Sequence, residues 1–161
     1  MTLPMRSSAG EFVEADLNVR YAETDQMGIV YYANYLVWFE VGRVAWCRAT
    51  GFDYREMESR DGRLMMVAEA SCRYKAPARF DDDIVVRTAV ASASDRVIRF
   101  VYEIRNKRSG GLLATGETAH VVADRSLRPA RLPESYWKFF DLGKASGRRS
   151  AGECRRVKEY W

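Results

Sequence analysis

From residue 96 to 106 the chain alternates. Ile98, Phe100, Tyr102 and Ile104 interleave with Val97, Arg99, Val101, Glu103 and Arg105, the two-residue period of a strand with one buried face. Comparable runs at about 64–75, 83–92 and 112–123 predict three more strands. Asn106 to Gly111 reads as a hairpin connection and Ser94-Asp95 as a tighter one, so these strands run antiparallel. A further strand is predicted over Asp16 to Tyr21, followed by a turn-like stretch from Glu23 to Gly28.

Between that turn and the later strands the period changes. Tyr35, Trp38, Phe39, Gly42 and Trp46 recur at helical spacing within roughly 32–50, and Gly51 supplies the stop. Leu36, Val41, Val44, Ala45 and Cys47 make this helix apolar on nearly all sides, the mark of a segment enclosed by other structure. Its charged stripe is narrow, and Glu40 and Arg43 are spaced to pair. One strand, one long enclosed helix and four antiparallel strands predict an α+β fold in which a curved five-stranded antiparallel sheet wraps a central helix. After Pro129 and Pro133 a short aromatic helix, Glu134 to Leu142, is expected to dock on the body through Tyr136, Trp137, Phe139 and Phe140. The domain therefore spans 15–142, with an N-terminal extension over 1–14 and a basic tail over 143–161.

Composition narrows the function classes. A chain of 161 residues with 47% hydrophobic content supports one domain with a substantial core. No apolar run approaches the roughly 18–20 residues a membrane-spanning helix needs, so no membrane insertion is expected. Residues 1–11 lack the apolar block of a secretory signal. Cys47, Cys72 and Cys154 are odd in number and without C-x-x-C spacing, which fits a reducing cytoplasm better than a disulfide framework or a zinc site. The net charge of +4 sits in the tail, where Lys144, Arg148, Arg149, Arg155, Arg156 and Lys158 outnumber Glu153 and Glu159. The body is formally neutral, which argues against nucleic acid as a partner.

The chain has no G-x-S-x-G elbow and no phosphate-binding glycine loop, and its one histidine, His120, lies in the last strand, where a structural role is expected. The strongest local signal is Tyr21-Ala22-Glu23-Thr24-Asp25-Gln26-Met27-Gly28-Ile29-Val30-Tyr31-Tyr32-Ala33-Asn34-Tyr35, in which Asp25 precedes a glycine turn opening onto the helix. The first N–H groups of a helix have no internal acceptor and carry partial positive charge. A carboxylate beside them can attack a carbonyl, or deliver water to it, while the backbone N–H of Tyr32 receives the oxygen. The same pattern also fits a plain turn or cap residue. Glu40 is assigned to the ion pair with Arg43, Glu69 to an exposed strand position, and the Asp81-Asp82-Asp83 run to a turn, with no metal.

The run Thr24 to Leu36 resembles the signature of the 4-hydroxybenzoyl-CoA thioesterase and YbgC-like hot-dog thioesterases. Tyr74-Lys75-Ala76-Pro77-Ala78-Arg79-Phe80-Asp81-Asp82-Asp83-Ile84 is similar to that family's junction between strands, and Arg128-Pro129-Ala130-Arg131-Leu132-Pro133 to its segment after the last strand. The resemblance covers about 15–140 in family order and implies a hot-dog fold and hydrolysis of an acyl-CoA. It places the catalytic carboxylate on Asp25 and the oxyanion donor on the Tyr32 backbone. Many YbgC-like members carry His where this chain has Tyr32, which bears on the substrate. Gly28, Tyr31, Met65 and Val67 are assigned to the acyl pocket, for an aromatic or short to medium aliphatic group. Arg96 and Arg128 are assigned to the CoA phosphates. No cofactor is needed beyond the CoA of the substrate, and a homodimer or homotetramer with sites between subunits is implied. Two other readings are a hot-dog dehydratase, which would want a histidine beside an acid, and a non-catalytic acyl-CoA-binding module whose basic tail recruits a partner.

Overall fold

A computed structural model describes residues 9–143, with side chains from residue 12 onward. The basic tail and Cys154 lie outside the described residues. The elements follow in the order β1 (Ala9–Asn18), α1 (Asn34–Thr50), α2 (Tyr54–Asp61), β2 (Arg63–Tyr74), β3 (Asp83–Ala93), β4 (Val97–Asn106) and β5 (Leu112–Asp124). The strands form one antiparallel sheet in the order β1-β3-β4-β5-β2. Register shifts between Val67 and Glu69, Val90 and Ser92, and Ile104 and Arg105 bend it. This is the hot-dog architecture expected above.

The alternation in β4 does what its period requires. Ile98, Phe100, Tyr102 and Ile104 are all buried and face α1, where Phe39 stacks on Tyr102 with ring centroids 4.2 Å apart. Trp38 and Phe39 of α1, with Ile84 and Val86 of β3, complete the centre of the core. Trp46 and Phe52, at the far end of α1, receive Tyr136, Phe139 and Phe140 from a 3-10 segment over Glu134–Phe140. The aromatic docking expected there is present.

Three local expectations change. The first strand begins at Ala9 and ends at Asn18, so residues 9–14, read as an extension, lie in the sheet against β3, and Tyr21–Glu23 is a 3-10 turn. The second helix, α2, escaped the sequence reading because its surface is charged and only Met57 is buried. Its start is set by Asp53, whose side chain accepts the Glu56 N–H at 3.0 Å. Third, α1 is not wrapped on all sides. Tyr35, Trp38, Phe39, Gly42 and Trp46 are buried against the sheet, while Leu36, Val37, Val41 and Val44 are each at least 40% exposed.

Candidate active site

The loop between β1 and α1 is organised around Glu23. Its carboxylate is buried and accepts the Arg20 backbone N–H at 2.8 Å, the Arg20 guanidinium at 3.2 Å and the Trp38 indole N–H at 3.0 Å. Burial pushes the Glu23 pKa upward, but the bonds from Arg20 and Trp38 outweigh it and hold the carboxyl below its ordinary value. The Glu23 carbonyl accepts the Tyr31 N–H at 2.8 Å and the Asn34 side-chain amide at 2.9 Å, tying both ends of the loop to the helix start.

Inside that frame a bridge between Thr24 and Val30 closes a tight loop. The Asp25 N–H donates to the Ile29 carbonyl at 2.8 Å, and the Gly28 N–H to the Asp25 carbonyl at 3.0 Å. Gly28 has φ +73°, which an L side chain rarely adopts. Asp25 Oδ1 accepts the Met27 N–H at 2.8 Å, a turn role, and Oδ2 has no hydrogen-bond partner among the described residues. The N–H groups of Tyr32 and Ala33 likewise meet no acceptor among them, because α1 begins at Asn34.

The junction after β2 buttresses this loop. The Val30 N–H donates to the Ala78 carbonyl at 2.8 Å, the Ala78 N–H to the Tyr35 hydroxyl at 3.3 Å, and the Tyr74 hydroxyl to the Tyr32 carbonyl at 3.0 Å. Two segments that carried the resemblance are thus in direct contact. The acidic run Asp81–Asp83 holds the junction itself: Asn18 donates to the side chains of Asp81 and Asp83, and Asp82 accepts the Arg79 N–H.

The residues assigned to the acyl pocket fall in two places. Gly28 and Tyr31 lie at the start of α1 beside Asp25 and Tyr32, and the Tyr31 and Tyr32 rings are 4.6 Å apart. Met65 and Val67 line a cavity of about 720 Å³ along the C-terminal half of α1, together with Glu40, Arg43, Val44, Phe52, Phe100 and His120. A single chain does not bring the two sets together. Arg96 and Arg128 sit at the sheet end opposite Asp25: Arg96 opens β4, and Arg128 follows β5 with its N–H on the Asp124 carboxylate at 3.1 Å.

Within the cavity Arg43 does not pair with Glu40. It turns inward and donates to the Tyr102 hydroxyl at 3.2 Å. Tyr102 is 2.6 Å from the Thr118 hydroxyl, which is 2.9 Å from His120 Nε2. His120 is buried, as a structural histidine is expected to be, yet it forms part of the cavity wall. Burial and then the Arg43 charge lower its pKa to about 4, and the ring is neutral at pH 7. Burial likewise raises the Cys47 thiol to about 11, so the cavity wall offers no thiolate. Glu69 is an exposed strand residue, 3.7 Å from Arg99. Sequence reading missed Glu23 and the group Arg43, Tyr102 and Thr118. The first had a signal in its spacing to Arg20 and the helix; the others come from three separate elements.

Residues 19–140 match the family model described as the thioesterase-like superfamily. The chain belongs to that superfamily. It is 38% identical over 122 residues to YneP of Bacillus subtilis, a candidate acyl-CoA thioesterase, covering 75% of this chain and 87% of that protein. It is 29% identical over 120 residues to the acyl-CoA thioester hydrolase YbgC of Escherichia coli, covering 74% and 88%. Among solved structures, the DHNA-CoA thioesterase of Staphylococcus aureus superposes with a TM-score of 0.71 at 31% identity, covering 81% of this chain and 84% of that one. The chain is a thioester hydrolase. Among the described residues no helix is long and apolar enough to cross a membrane.

Proposed function

We propose that this hydrolase cleaves an aromatic or short to medium-chain acyl-CoA to the free acid and CoA, with Asp25 as its working carboxylate. The observation that carries the reading is the pairing, at one helix start, of a carboxylate oxygen and backbone N–H groups that meet no partner among the described residues. Charge that develops on a thioester oxygen is stabilised by the Tyr32 N–H, which needs no reorganisation to receive it. Asp25 then acts in one of two ways. As nucleophile it bonds to the carbonyl carbon while the C–S bond breaks, and water hydrolyses the resulting anhydride. As base it takes a proton from the attacking water, and that proton goes to the departing thiolate. The names of YbgC and of the Staphylococcus enzyme support a CoA ester and, for the latter, an aromatic acyl group.

The complete site is formed by two copies of the chain. β2 is a sheet edge with Val67 53% exposed, and the exposed face of α1 lies beside it. Antiparallel pairing of β2 with β2 of a second copy sets the Asp25 end of one chain against the cavity end of the other, where Met65, Val67, Arg96 and Arg128 lie. This reading reunites the divided pocket, and it extends to a tetramer if two such dimers associate. A dehydratase reading needs a histidine beside an acid, and His120 instead holds Thr118 in the sheet.

A thiol-release assay over benzoyl-, phenylacetyl-, short-chain and long-chain CoA esters, comparing wild type with Asp25→Asn, tests the assignment. The variant is expected to lose about a hundredfold or more in kcat. Full activity in the variant would overturn the role of Asp25.

A further inference from the structure

Arg43 is the one half-buried cation of the cavity, and its surroundings define what it can bind. A hydrogen-bond chain of Tyr102, Thr118 and His120 stands behind it. Arg43 can only donate, so the Tyr102 oxygen accepts from it and the Tyr102 proton is free for Thr118, whose own proton then serves His120 Nε2. That arrangement satisfies both hydroxyls and leaves the Tyr102 oxygen facing Arg43 with a lone pair. The relay fixes the guanidinium through a neutral acceptor and does nothing to cancel its charge.

Among the described residues no carboxylate pairs with Arg43. Glu40, on the same cavity, is exposed at its rim, and Asp53 is committed to capping α2. With Arg48 and Arg55 the cavity holds three arginines against these two carboxylates. Beside the uncharged polar groups of Tyr54 and His120, the wall is lined by apolar Val44, Phe52, Met65, Val67 and Phe100. A guanidinium with four N–H donors that meet no acceptor among the described residues, set beside apolar walls, calls for an anionic oxygen at the end of an apolar ligand.

We propose that Arg43 is a specificity-determining residue, and that the cavity takes the acyl chain of a thioester whose far end carries a carboxylate. The chain's methylenes or ring lie on the apolar walls, and the carboxylate receives the free N–H groups of Arg43. This inference rests on the acyl-CoA reading above, with the thioester at Asp25 of the facing copy.

The test compares adipoyl-CoA with heptanoyl-CoA, which matches it in length and lacks the charge, in thiol release and in calorimetric binding, for wild type, Arg43→Met and Arg43→Gln. Wild type is expected to favour adipoyl-CoA by about tenfold or more in kcat/KM and in Kd, as a charge-assisted hydrogen bond provides. In both variants the ratio collapses to about one, and either variant suffices if the other does not fold. A wild-type preference for heptanoyl-CoA, or a ratio unchanged by both substitutions, overturns the inference. If neither ester is cleaved while adipoyl-CoA still binds more tightly in an Arg43-dependent way, the hydrolase assignment to CoA esters fails and the role of Arg43 stands.

Discussion

Trp38 donates its indole N–H to the buried Glu23 carboxylate at 3.0 Å, so the second turn of α1 and the loop that carries Asp25 share one anchor. Glu23 holds the loop through its side chain and its carbonyl at once, and both hold the helix start in place. Replacing the carboxylate with an amide weakens three bonds, two of them to Arg20. Glu23→Gln is expected to lower stability by about 1.5–3 kcal/mol, the usual worth of hydrogen bonds to a charged group, and to lower kcat as the Asp25 loop loosens. Urea denaturation and the thiol-release assay measure the two effects. Since the folded pKa of Glu23 lies below 4.5, its contribution is complete above that value and is lost as pH falls through the lower, folded pKa.

His120 adds a second acid sensitivity in a higher window. Its pKa falls from 6.5 in the unfolded chain to about 4 in the fold, because burial and Arg43 oppose a second positive charge. A lowered pKa means stability is fully present above pH 6.5 and is lost as pH falls from there through about 4. The difference corresponds to roughly 3 kcal/mol at most. Denaturation midpoints measured from pH 7 to 4 should drop steeply in wild type and much less in His120→Asn. Equal slopes in the two proteins would refute a buried neutral imidazole.

The fold was legible wherever one face of an element is buried by the same chain. Ile98, Phe100, Tyr102 and Ile104 gave β4 away because they are buried while their alternating partners are only half-buried. The helix and the sheet that wraps it were legible, but Leu36, Val41 and Val44 gave no sign that their side of the helix stays exposed. Apolar periodicity reports that a surface wants cover and is silent on whether that cover comes from the same chain. The segment α2 offered only Asp53 and Gly62 as punctuation around charged residues. In the site, Asp25 stood out because turn and helix start are consecutive in sequence. The relay of Arg43, Tyr102, Thr118 and His120 did not, because α1, β4 and β5 meet only in the folded chain.

Gly42 lets α1 lie close against β3. A Cβ there would fall 2.2 Å from Thr88 Oγ1 and 2.8 Å from Val86 Cγ1. Thr88 is fully buried, and its hydroxyl has no hydrogen-bond partner among the described residues. Gly42→Ala should therefore destabilise by about 1–3 kcal/mol even though alanine is the better helix former. Thr88→Ala in the same chain should recover part of the loss, which a double-mutant cycle of thermal or urea unfolding reads directly.

The exposed β2 edge makes its own prediction. If two copies join there, Val67→Lys places a charge in the middle of the seam, and light scattering should record a shift from dimer to monomer at micromolar concentration. Activity should fall with it, since Met65 and Val67 of one copy would no longer face Asp25 of the other. A fully active monomer would exclude a shared site.

The strand order carries a consequence for how the molecule is made. β2 leaves the ribosome directly after the helices, yet its ladder partner is β5, beyond two intervening strands. Until β5 emerges, an apolar ribbon waits with both edges open, while β3 and β4 can zip at once through their hairpin. Closure of the sheet is the late, long-range event of folding, and the nascent chain is most exposed to aggregation just before it.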